Sequence, residues 1–182
     1  MYTTLKKSVL EKALSHSVRV VQAHASIPAL QGIYCVAQKG TLVLRSTNLD
    51  IGIEISLPAS VETEGECLVP AKIFLDTVKF SPEGDLTLES KNGTLTVTSK
   101  RGEARITLLP HSDFPSIPKH TTETEISIDP QIVVKGLQSV LFSVSPSTIK
   151  PELGCVSISH FDTSLVCVST DSFRLSEKKI PY

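Results

Sequence analysis

The strongest constraint on this chain is that it repeats itself at a fixed offset. Leu165–Pro181 (LVCVSTDSFRLSEKKIP) echoes Leu42–Pro58 (LVLRSTNLDIGIEISLP), with Thr170 and Pro181 each 123 residues after Thr47 and Pro58. At the same offset, without a gap, Lys12 aligns with Lys135, Leu14 with Leu137, Val21 with Val144 and Pro28 with Pro151. Leu30 likewise aligns with Leu153, Leu42 with Leu165, Ser46 with Ser169 and Glu54 with Glu177. Solenoid repeats run about 20–50 residues, so a period this long means duplicated domains. Each copy reads as a strand, a polar turn opening on Ser-Thr-Asn/Asp, and a second strand. Proline ends that strand because it cannot donate to a sheet ladder.

In chain order the pattern predicts a short strand over residues 1–4. A helix follows over Leu5–Val21, with Leu5, Val9, Leu10, Ala13, Leu14, Val18 and Val21 at helical spacing. Gly32–Gln38 and Thr41–Arg45 read as strands turning at Lys39-Gly40, and Ile51–Leu57 alternates as a third. Residues 59–65 read as a loop and Glu66–Val69 as a strand. Pro70-Ala71-Lys72 opens a second helix to about Phe80, with Ile73, Phe74, Leu75 and Val78 inward. Strands follow at Leu86–Glu89, Thr94–Ser99 and Arg105–Leu109, with Asn92-Gly93 a hairpin signal. The unit is thus a helix plus three or four antiparallel strands, used twice in a first domain over residues 1–118.

Residues 110–124 hold three prolines and no periodicity, which marks a linker whose core is 119–124. The unit then restarts: strand Glu125–Ile128, Asp129-Pro130 as helix cap and first turn, and helix Gln131–Phe142 with Ile132, Val133, Leu137, Val140 and Leu141 inward. Two strands, Gly154–His160 and Ser164–Ser169, lead to the Asp171–Phe173 turn and a last strand. By the same period, residues 125–182 are the first half of a second domain, and the expectation is a truncated unit with an uncovered sheet edge. The fold class is α+β.

Enzymatic chemistry finds no support. The five histidines are scattered, no glycine-rich phosphate loop exists, and the acids form no recognisable pair. Cys35, Cys155 and Cys167 lie in apolar runs and, with Cys67, lack zinc spacing, so buried reduced thiols are expected and neither metal nor cofactor. Lysines interrupt the apolar runs at the start, and no stretch approaches the roughly 20 apolar residues of a membrane span, so the expected compartment is the cytoplasm. Charge distribution is more informative. Lys6, Lys7, Lys12 and Arg19 against Glu11 leave the first helix at +3, while the whole chain is −1. A mildly basic helix face attracts phosphate without reading bases.

The order IPAL…GTLVLRSTNLDIGIEI…LVPAKIFLD…SDFPSIP…TDSFRL resembles the bacterial DNA sliding clamp, the beta subunit of DNA polymerase III. The match runs from Met1 to Tyr182, most specifically at Pro28–Leu30, Val69–Lys72, Asp113–Pro115 and Thr170–Leu175. The resemblance implies a DNA-clamp fold: three similar domains per chain, two chains closing head to tail into a ring around duplex DNA. It implies a non-catalytic processivity factor that binds double-stranded DNA without sequence preference. Its helices would form the channel wall, with His24, Lys72, Ser147 and Lys150 near DNA alongside the basic helix residues Lys12 and Arg19.

The same resemblance makes Leu153, Thr170, Ser172, Phe173, Arg174 and Leu175 one wall of a groove. That groove takes short linear motifs of the replicative polymerase, the clamp loader and repair proteins. It makes Arg105–Leu108 the edge of a homodimer contact, with Ile106 and Leu108 as apolar knobs and Arg105 beside them. The chain departs from the family pattern with His24 where arginine is frequent, Pro151-Glu152 where an aromatic pair is frequent, and Phe173 where histidine is frequent. A two-domain clamp of archaeal or eukaryotic type, an unrelated α+β enzyme and a clamp-like interaction module that does not encircle DNA remain the alternatives. If the loop of His24 faces DNA, His24→Arg tightens duplex binding at low salt. An unchanged affinity in a fluorescence titration would place that loop elsewhere.

Overall fold

The computed structural model describes residues 1–21, 27–117, 127–147, 149–161 and 163–181. Its contacts divide the chain into two compact units, Met1–Lys119 and His120–Tyr182. The expected linker core at 119–124 lies outside the described residues.

The first unit runs β1 (Tyr2–Lys6), α1 (Lys7–Ser17), a 3-10 turn (Pro28–Gln31), β2 (Gly32–Gln38), β3 (Thr41–Thr47), β4 (Gly52–Pro58), β5 (Ser60–Thr63) and β6 (Gly65–Pro70). It continues with α2 (Ala71–Phe80), β7 (Asp85–Lys91), β8 (Thr94–Ser99) and β9 (Gly102–Thr107). Two antiparallel sheets result, ordered β4-β3-β2-β6 and β5-β1-β7-β8-β9. The opening strand of each half therefore sits in the other half's sheet: β1 pairs with β7, and β6 pairs with β2. One core fills the space between, joining Leu10, Leu14 and Phe74 of the helices to Leu42 and Leu44 of one sheet and Leu86, Leu88 and Leu95 of the other.

Two tight hairpins turn as their residues demand. Lys39-Gly40 and Asn92-Gly93 all have positive φ, from 47° to 77°. Such two-residue loops match the right-handed twist of the flanking strands. Helix α1 is shorter than the apolar spacing suggests. Leu5 and Lys6 pair in register with Leu86 and Asp85, so they belong to β1. At the far end, Arg19, Val20 and Val21 donate to carbonyls three residues back, a 3-10 tightening of a valine-rich turn. Val9 and Ile73, expected inward, are exposed on α1 and α2. The segment read as a loop contains β5, whose single apolar residue, Val61, carried too little alternation to show. Pro70 ends β6 and caps α2 rather than entering its first turn.

The second unit comprises α3 (Pro130–Val140), a 3-10 turn at Leu141–Ser143, another at Pro151–Gly154, and β10 (Ser157–Phe161), β11 (Ser164–Thr170) and β12 (Leu175–Pro181) in one antiparallel sheet. Asp129 caps α3 as its sequence predicts, accepting the Gln131 N–H at 2.8 Å. Of the expected strand at Glu125–Ile128, residues 125–126 lie outside the described residues, and Ser127 and Ile128 are not in a strand. Leu141 is exposed, because the helix tightens to 3-10 geometry at that residue and turns it off the apolar stripe.

The duplication is faithful at the level of the backbone. Helix α3, the second 3-10 turn, β11 and β12 span the residues of α1, the first 3-10 turn, β3 and β4 shifted by 123. The β11–β12 register repeats that of β3–β4: Thr170↔Leu175 answers Thr47↔Gly52, and Ser164↔Pro181 answers Thr41↔Pro58. Gly136 marks the closest approach of α3 to its sheet. A Cβ there would lie 2.8 Å from Ile180 Cδ1 and 3.0 Å from Cys167 Sγ. Its counterpart in the first unit is the buried Ala13. Gly136→Val therefore over-packs the second unit and should destabilise it by about 1–3 kcal/mol, read as an earlier urea midpoint for that unit.

Candidate nucleic-acid interface and partner-binding turn

Helices α1 and α2 pack against each other in the first unit. They present Lys12 and Lys72 to solvent, with Arg19 exposed in the turn after α1. No ion pair among the described residues engages these three side chains. Lys7 differs from the sequence expectation of a basic solvent face. It is 7% exposed, with Nζ 2.7 Å from Glu83 Oε1 and 3.3 Å from Glu11 Oε2. The hydrogen bond to Glu83 leads in raising its pKa above the ordinary lysine value. Two carboxylates thus cancel Lys7, and Lys6 leaves the helix for β1. The free positive charge near α1 is carried by Lys12 and Arg19.

His24 lies outside the described residues. In the second unit, Ser147 and Lys150 are exposed on the loop after α3. That loop is held by its own short-range bonds. Ser145 N donates to the Leu153 carbonyl at 2.9 Å, and the Ser147 hydroxyl accepts the Ile149 N–H at 3.3 Å.

The Thr170–Leu175 turn is held by its own polar side chains. Thr170 Oγ1 accepts the Ser172 N–H at 3.1 Å and donates to the Arg174 carbonyl at 2.7 Å. Asp171 Oδ1 accepts the N–H groups of Phe173 and Arg174 at 3.0 and 2.9 Å. Asp171 Oδ2 takes the Arg174 Nε–H at 2.9 Å. The Arg174 guanidinium carbon lies 5.8 Å from the ring centroid of Phe142, a cation–π contact. Ser172 has φ 76°. The result is a rigid loop that fixes Arg174 and Leu175 while leaving Phe173 98% exposed. Leu153 is half-buried. Phe142 belongs with these residues, but nothing in its sequence neighbourhood signals a contact 32 positions away.

The same turn exists in the first unit. Thr47 Oγ1 accepts the Leu49 N–H at 3.0 Å, and Asn48 Oδ1 accepts the Asp50 and Ile51 N–H groups at 3.0 and 2.8 Å. Leu49 has φ 78°, matching Ser172. What differs is the surface. Gly52 stands where Leu175 stands, and a Cβ on it would lie 3.1 Å from Ile117 Cγ2. Leu30, the counterpart of Leu153, is fully buried. In the first unit the chain covers this position with its own residues.

The proposed dimer edge needs a correction. Strand β9 is the free edge of its sheet, but Ile106 is 3% exposed and belongs to the unit's own core. It cannot act as an outward knob. Alternation along the strand sends Ile106 inward and Arg105 outward, where Arg105 pairs with Glu103 at 2.7 Å. Leu108 packs half-buried against the same core. The exposed apolar groups near this edge are instead Ile73 and Phe80 of α2, which line a groove of about 500 Å³ with Val97 and Ala104. Cys155 is also exposed, against expectation, and lies between the 3-10 turn at Pro151–Gly154 and the start of β10 at Ser157.

A repeated helix-over-sheet unit, two helices side by side and a side-chain-locked turn on each copy define a clamp-type domain. The chain belongs to the DNA polymerase III beta subunit family, whose N-terminal domain matches residues 1–118. It is 25% identical over 190 aligned residues to the beta sliding clamp of Staphylococcus epidermidis, covering 99% of this chain and 50% of that one. Among solved structures, Caulobacter crescentus pol III beta superposes with a TM-score of 0.92 at 25% identity, over 100% of this chain and 50% of the other. The Bacillus subtilis sliding clamp gives 0.89 at 26% identity with the same coverage. The chain spans about half the length of these relatives. Among the described residues, no helix is long and apolar enough to cross a membrane.

The backbone N–H groups of Arg174 and Phe173 hold the Asp171 carboxyl below its ordinary pKa. Because the folded value is depressed, the ionised bonds are complete above the usual carboxylate range. They are lost as pH falls through the lowered value. Asp171→Asn should keep the turn, as Asn48 does in the first unit, and abolish this acid sensitivity. Amide shifts of Phe173 and Arg174, followed from neutral pH to about pH 3, read both effects.

Proposed function

We propose that this chain acts as part of a sliding clamp, a non-catalytic processivity factor that encircles duplex DNA in the cytoplasm and tethers polymerase. The observation that carries this reading is the register-faithful duplication of a helix-over-sheet unit whose helices expose Lys12 and Lys72. A ring built from such units lines its channel with helices and turns its sheets outward. Contact with phosphate is then sequence-independent and weak, since few cations are free. Weak contact suits a protein that must slide.

In this reading Lys12, Arg19, Lys72 and Lys150 supply charge, Ser147 supplies a hydroxyl, and His24 is a further DNA-proximal residue. Leu153, Thr170, Ser172, Phe173, Arg174 and Leu175, joined by Phe142, form the wall that receives linear motifs of the polymerase, the clamp loader and repair proteins. The free edge of β9 with Arg105 and Leu108, flanked by Ile73 and Phe80, takes the head-to-tail partner. A free edge beside exposed apolar side chains is the arrangement that pairs with another chain.

The salt dependence of duplex binding tests the DNA-facing surface. Lys12→Ala and Lys72→Ala should each reduce the slope of log K against log salt by about 0.9, one phosphate contact apiece. Lys91→Ala, on the exposed β7–β8 hairpin, should leave the slope unchanged. Equal losses at all three positions would mean diffuse charge attraction and no DNA-facing helix layer.

A further inference from the structure

Cys35 of β2 and Cys67 of β6 face each other directly across the antiparallel ladder. Directly opposed residues have Cα atoms about 4.5–5.5 Å apart, inside the range of about 4.4–6.8 Å that a disulfide spans. Both are free thiols and both are buried, 1% and 2% exposed. We infer that Cys35 and Cys67 form a peroxide-responsive dithiol, a redox modification site in the first unit where oxidation joins β2 to β6 covalently.

The surroundings give the two sulfurs different parts. The Cys35 Sγ lies 3.7 Å from the Ile33 carbonyl. A hydrogen bond from the Cys35 thiol leads in lowering the Cys67 pKa; burial opposes it, and the Ser90 hydroxyl and the terminal ammonium of Met1 act with it. The same bond to Cys67, then burial, push Cys35 up. Of the two sulfurs, Cys67 is the readier to ionise. Cys67 also lies among the residues lining a cavity of about 360 Å³, with Glu66, Leu68, Gly93, Leu108 and Leu109. A peroxide, two heavy atoms long, fits there.

The step balances with hydrogen peroxide as oxidant. The Cys67 thiolate attacks one peroxide oxygen, the O–O bond breaks, and hydroxide leaves with the electron pair and takes up a proton. Cys67 is then a sulfenic acid. The Cys35 sulfur attacks the Cys67 sulfur, its proton goes to the departing hydroxide, and the S–S bond forms. Two thiols and one peroxide give one disulfide and two waters.

The chain holds its own controls. Cys167 is buried without a thiol partner, and burial pushes its pKa up, while Cys155 is exposed. The folded chain is treated with hydrogen peroxide, denatured in an alkylating agent and mapped by mass spectrometry. A peptide linking Cys35 to Cys67, lighter by two hydrogens, should accumulate before Cys167 reacts and should vanish with dithiothreitol. In Cys35→Ala, dimedone should trap Cys67 as the sulfenic acid. In Cys67→Ala, Cys35 should remain a thiol. Recovery of both as free thiols once Cys155 is oxidised overturns the proposal. So does oxidation of Cys67 to the sulfinic acid without a bridge. The unmutated chain decides between these results, so a variant that folds poorly cannot shield the idea.

Discussion

One hydrogen bond sets the geometry on which both units depend. The Ser46 hydroxyl, on β3, donates to the carbonyl of Ser17, the last residue of α1, at 3.1 Å. At the same offset, Ser169 of β11 donates to the carbonyl of Val140, the last residue of α3. The last carbonyls of a helix have no intrahelical donor, and a buried carbonyl left unpaired costs about 1–3 kcal/mol. The Ser17 carbonyl also takes the Val20 N–H, so the serine adds a second donor there and ties the end of the helix to the sheet. The next residue in the chain is Thr47 or Thr170, which opens the locked turn. A helix terminus and a locked turn are thus tied to adjacent residues of one strand, so the turn inherits its position from the helix layer.

That arrangement explains how duplicated scaffolds acquired different surfaces. The bonds holding the turn come from Thr47 and Asn48, or Thr170 and Asp171, and use main-chain donors that any residue supplies. Apart from Leu49 and Ser172, held at positive φ, positions 50 to 52 and 173 to 175 are then free to vary at little conformational cost. In the first unit Gly52 leaves room for Ile117. The second displays Phe173 and Leu175 and anchors Arg174 between Asp171 and Phe142.

What the sequence made legible follows from the range of the interactions. The offset of 123 residues, the two positive-φ hairpins and the Asp129 cap rest on neighbours within a few residues, and all three are visible in the letters. The strand exchange is not, because β1 meets β7 some 80 residues away and no local pattern encodes the partner. Lys7 misled for the same reason. Its spacing assigns it to a solvent face, and only the tertiary placement of Glu83 shows it neutralised and buried. Ile106 shows a failure of another kind. A free strand edge offers its backbone outward but its side chains by alternation, so its apolar residue belongs to the core. The outward apolar groups near that edge come from a helix, α2.

The electrostatics of the first unit bear on how strongly its helix face attracts phosphate. Four cations in the first 20 residues against Glu11 suggest a mildly basic helix face. The fold removes one by pairing and moves another into a strand. Each phosphate contact adds to affinity and to salt sensitivity together, so pairing Lys7 lowers both for any phosphate that meets this face. Burying Lys7 between Glu11 and Glu83 also ties α1 to the segment that leads into β7.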